Sequence, residues 1–104
     1  MRTIDINISL TDGDIDEFPN KDNVGLVEVL NNRVMITLSR NAMIGLGKQL
    51  IKLAYTNFQD GYHVHVDPCE EGYTSQPMGF YSHPKSAEII ICCSEFESID
   101  KCMK

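Results

Sequence analysis

The hydrophobic period of this chain changes at Ser39. Before it, apolar residues alternate with polar ones; from Met43 to Ala54 they recur at every third or fourth position; from Tyr62 they alternate again. A period of two builds a strand with two distinct faces, and a period near 3.6 builds a helix with one apolar stripe. Each element leaves an apolar surface that the other must cover. The chain is therefore confined to folds that lay a helix on a sheet.

Thr3 to Leu10 sets Ile4, Ile6, Ile8 and Leu10 against Asp5, Asn7 and Ser9, which predicts a half-buried strand. Residues 11–22 break the pattern with Gly13, Pro19 and the acids Asp12, Asp14, Asp16, Glu17 and Asp22, and read as a loop. Val24 to Leu30 and Arg33 to Leu38 are two further strands. Asn31-Asn32 joins them, and because Asn tolerates positive φ the pair suits a two-residue hairpin.

In the helix, Met43, Leu46, Leu50, Leu53 and Ala54 form the stripe, widened by Ile44, Ile51, Tyr55 and Phe58. Ser39 or Asn41 can cap its start, and Asp60-Gly61 closes it or follows closely. Gly45 and Gly47 each cost about 1 kcal/mol relative to Ala, and would let the helix lie close on the sheet. Tyr62 to Asp67 is a strand that Pro68 ends, and 68–79 is a loop. Phe80-Tyr81 is a short strand or belongs to that loop. The unbroken apolar run within Ala87 to Ser94 predicts a central, covered strand, and the tail from Phe96 a short helix or a frayed end. The expected fold is α+β, one domain over residues 1–104: an antiparallel sheet of about five strands in the order β-β-β-α-β-β, with one amphipathic helix packed on one face.

Acidic residues outnumber basic ones by 15 to 9, for a net charge of −6. That field repels nucleic-acid phosphates and anionic lipid, and suits a protein that is soluble or meets a basic protein surface. No apolar segment is long enough to span a bilayer, and Met1-Arg2-Thr3-Ile4-Asp5 does not open a secretory signal. Cys69, Cys92, Cys93 and Cys102 form no CxxC pair and no disulfide spacing, so the expectation is a cytoplasmic protein with reduced thiols. An uncovered sheet edge would leave a homo-oligomer open.

Two constellations stand out. In the acidic loop, an EF-hand counted from Asp12 would need Gly and Glu where Glu17 and Asn23 stand, so calcium is not indicated. Asp14, Asp16 and Glu17 around Phe18, with Ile15 beside it, instead make a charged rim about an apolar anchor, a pattern for partner binding. The second is His63-Val64-His65-Val66-Asp67-Pro68-Cys69. On a strand, His63, His65 and Asp67 share a face at intervals of about 6.5 Å. They form either a wet recognition face or, as the alternative, part of a zinc site in a metal-binding protein or small metalloenzyme, with Asp67, Cys69, Glu70 or His83 completing it. The pair followed by Glu70 is similar to the first motif of the small barrels called cupins, but the second cupin motif is missing and a helix interrupts the sheet. No activated nucleophile or phosphate loop is present, so no catalytic residue and no required cofactor are assigned.

Leu46 to Ala54, then Gly61-Tyr62-His63-Val64-His65-Val66-Asp67, then Ser86-Ala87-Glu88-Ile89-Ile90-Ile91, together resemble small immunity proteins of bacterial polymorphic toxin systems. The resemblance covers under half of the chain. It implies a cytoplasmic protein that neutralises a toxin domain by direct binding and is not an enzyme.

Overall fold

The period switch lands where the sequence places it. In the computed structural model, which describes residues 1–10 and 21–104, the elements are β1 (Val24–Leu30), β2 (Arg33–Leu38), α1 (Arg40–Thr56), β3 (His63–Val66), β4 (Tyr81–Ser82), β5 (Ile89–Cys92) and α2 (Ile99–Cys102). The class is α+β, with one main helix and a short second one. The strands form two sheets: one of order β2-β1-β4 and one that pairs β3 with β5.

β1 and β2 make the expected hairpin, with Leu30 opposite Arg33. Asn31 and Asn32 take φ of 51° and 66°, the left-handed pair that a two-residue turn between twisted strands requires. Ser39 is the N-cap of α1: its Oγ accepts from the Ala42 N–H at 3.2 Å and the Val24 N–H at 3.3 Å, tying the helix start to β1.

The first expected strand is absent. Residues 1–10 belong to no strand, and Ile4, Ile6 and Leu10 are exposed. The physical reason lies at β1, whose free edge is taken by β4 in parallel, with Val24 opposite Tyr81 and Gly25 opposite Ser82. Alternation gives residues 3–10 a face but not a partner. β5 also differs from expectation. It pairs with β3 alone, so Ile89 and Ile91 face the core while Ile90, 55% exposed, faces outward.

The sheets separate near two prolines, Pro68 and Pro84, which have no N–H for a ladder. They remain stitched there by Cys69 N–H to the Ser82 carbonyl (2.9 Å), Ala87 N–H to the Val27 carbonyl (2.8 Å) and Val27 N–H to Ser86 Oγ (2.9 Å). One core serves both. Ala42, Val66, Met78 and Phe80 are buried together, with Leu38, Leu46, Leu53, Val64, Ile89 and Ile91 packed around them.

α1 buries a narrower stripe than its sequence offers. Ala42 and Gly45 are buried, while Met43, Ile44, Leu50, Ile51 and Tyr55 are exposed. At Gly45 the helix meets the backbone of Gly79, so that a Cβ on Gly45 would overlap the Gly79 carbonyl, whereas Gly47 faces open space. The close approach expected of the two glycines thus belongs to Gly45 alone, and is made to a loop rather than to a strand. All four cysteines are free; Cys69 and Cys93 are buried and act as small apolar groups, and Cys92 and Cys102 are exposed.

Candidate functional site

The outer face of the β3–β5 sheet follows from alternation. Val66 is fully buried and Val64 half-buried, so His63 and His65 must point the other way, and both are exposed. The register sets His63 opposite Cys92 and His65 opposite Ile90. Carried one residue beyond the ladder, it sets Asp67 opposite Glu88. The face therefore holds two imidazoles, two carboxylates and an exposed thiol.

The imidazoles are oriented. Their ring centroids lie 5.0 Å apart in an edge-on arrangement of 71°. His63 Nδ1 is 3.1 Å from the Gly61 carbonyl. A carbonyl only accepts, so Nδ1 carries the proton and a neutral ring keeps its lone pair on Nε2. His65 Nδ1 lies 3.2 Å from Glu88 Oε1, as a hydrogen bond or, with the ring protonated, an ion pair. Both groups are about half exposed, so the pair contributes little to stability.

One ligand-capable atom from each of His65, Asp67 and Glu88 lies within 4.8 Å of the others. This group differs from the set named by the sequence. His83 is not in it: it follows β4, its N–H donates to the Gly25 carbonyl, and its Nδ1 accepts from the Lys85 N–H at 3.0 Å. Glu88 was not singled out as a site residue, because only pairing β3 with β5 brings it beside Asp67. The signal open to a reader of sequence was a lone acid directly before the run Ile89-Ile90-Ile91, at the end that an antiparallel partner would set against Asp67. Asp14, Asp16, Glu17 and Phe18, named as partner-binding residues, lie outside the described residues.

A second exposed surface has the opposite character. On the hairpin, Val29, Leu30, Val34, Met35 and Ile36 are each more than 60% exposed. A hollow of about 490 Å³ opens there, lined by Glu28, Val29, Leu30, Asn31, Arg33 and Met35. Among the described residues, β2 is an edge strand of its sheet. Among the described residues, no helix is long and apolar enough to cross a membrane.

The described residues thus present two unlike surfaces, a polar face on the β3–β5 sheet and an apolar face on the β1–β2 hairpin. Residues 33–94 match the family described as Immunity protein 32, a span that runs from β2 through α1 to the end of β5. The match covers more than half of the chain, and the chain belongs to that immunity protein family. No curated protein and no solved structure matches the chain.

Proposed function

We propose that this protein protects its host cell by binding a toxin domain directly and blocking it, acting as an inhibitor and not as an enzyme. Membership of the Immunity protein 32 family carries the reading. The exposed surfaces support it. His63, His65 and Asp67 offer a polar patch with donors and acceptors outward, and the hairpin offers apolar anchors beside the acid Glu28. The net charge of −6 complements a basic partner and speeds encounter with one. Asp14, Asp16 and Glu17 would add to that field, with Phe18 as an anchor. Such an inhibitor works in the cytoplasm, where a toxin would meet its target.

The test is co-expression with the toxin domain encoded beside this chain's gene. The expected result is restored growth and a stable complex on size-exclusion chromatography. The triple substitution of His63, His65 and Asp67 by Ala should weaken that complex while leaving the fold intact, since all three side chains are exposed. Absence of both rescue and complex with the neighbouring toxin would overturn the reading. Because β2 is an edge strand among the described residues and could pair with a second copy, native mass of the free protein separates self-association from toxin binding.

A further inference from the structure

We infer that His65, Asp67 and Glu88 form a binding site for a divalent transition-metal ion of the zinc class on the outer face of the β3–β5 sheet. Three observations converge. The first is geometry: one donor atom from each residue lies within 4.8 Å of the other two. Ligands around tetrahedral zinc at bond lengths of about 2.0–2.1 Å sit roughly 3.4 Å apart. The remaining closure is within reach of side-chain rotation, because all three side chains are exposed.

The second is electrostatic. Asp67 and Glu88 stand across from each other where the ladder ends, and like charges placed opposite on neighbouring strands destabilise the pairing. Among the described residues, His65 pairs with Glu88 and not with Asp67. A dication between the two carboxylates would turn a repulsive pair into a chelate. The third is chemical. An imidazole nitrogen beside two carboxylate oxygens selects a borderline metal such as zinc over calcium or magnesium, which take oxygen ligands. The site would supply three protein ligands and leave a coordination position open to water or to a group from a bound partner. His63 stands next to His65, with Nδ1 held by the Gly61 carbonyl and Nε2 bearing the lone pair, an arrangement common among metal-binding histidines.

The inference is independent of toxin binding and is tested on the free full-length chain. Chelator-stripped protein carrying Cys92→Ser and Cys102→Ser, which removes the exposed thiols as competing ligands, is titrated with zinc by calorimetry and with cobalt by visible absorption. One equivalent should bind, and the melting temperature should rise with zinc concentration. Asp67→Asn and Glu88→Gln should each weaken binding by about tenfold or more, the scale on which metal sites lose affinity when a supporting group is removed. His83→Ala should bind as its parent does. In the same titration followed by NMR of protein without the Asp67, Glu88 or His83 substitutions, the ring signals of His65 should shift while those of His83 stay in place. Failure of the parent to bind zinc saturably, equal binding by Glu88→Gln, or a His83 shift without one at His65 would each overturn the site. A complex with the toxin that forms equally well in chelator would leave the immunity reading standing whichever way the metal result falls.

Discussion

The two sheets carry similar strand signals and end with opposite surfaces. In β3, alternation is resolved by the core: Val64 and Val66 go in, and His63 and His65 go out. In β2 no such division exists, for Val34, Met35 and Ile36 are consecutive and all lie more than 60% exposed. β3 sits over the shared core through Val66, while β2 is an edge strand that reaches the core mainly through Leu38 at its end. The difference teaches that an apolar strand residue is informative only once its neighbour is known. In β3 the pattern reports packing inside the chain. In β2 it marks surface available to a partner.

The largest test asks whether the two sheets are one folding unit. Phe80 is fully buried in the core they share. Phe80→Ala should cost about 3–5 kcal/mol by denaturant unfolding. Labelling rates of Cys69, bonded by its N–H to the Ser82 carbonyl of β4, and of Cys93, just after β5 and bonded by its N–H to the Tyr62 carbonyl, should rise together. A rise at one alone would divide the molecule into two units.

A smaller and more direct test makes the same isosteric change in each sheet. Val66→Thr places a hydroxyl at a fully buried position and should cost about 1–3 kcal/mol if it finds no partner. Val34→Thr, at a residue 63% exposed, should change stability by no more than about 0.5 kcal/mol. A large loss at Val34 in the monomer would show that the hairpin face is covered and would end the contrast. If Val34→Thr is silent for stability yet weakens the toxin complex, the contrast sharpens into a functional one.

The smallest effects come from α1, where two glycines two residues apart should respond with opposite signs. Gly45→Ala sets a methyl group into the Gly79 backbone and should destabilise by about 1 kcal/mol or more despite the better helix former. Gly47→Ala meets open space and should stabilise by up to about 1 kcal/mol. Thermal melts of the two single variants check both.

Much of this architecture is legible in local pattern. The hairpin at Asn31-Asn32, the Ser39 cap, the long helix and the inside–outside division of β3 all depend on residues within a turn or two of one another, and each appears as read. The outward face of His63 and His65 was legible for the same reason. What was not legible depends on pairing. Residues 3–10 have the alternation of a strand, yet β4, only two residues long and separated from β1 by over 50 positions, holds the edge they would need. β5 has the composition of a central strand and lies in a sheet of two. Glu88 joins His65 and Asp67 only through the β3–β5 register, and His83, equally eligible by residue type, is held elsewhere by Gly25 and Lys85.

By itself, then, the sequence determined the class of fold, the hairpin and helix at its centre and which side of β3 is wet, since periodicity and turn chemistry are local properties of the chain. Tertiary structure alone decided which strand edges are filled, that one core serves two sheets, and which acid stands beside His65. Those outcomes turn on competition between distant segments for the same hydrogen-bonding edge, and no local pattern records which segment wins.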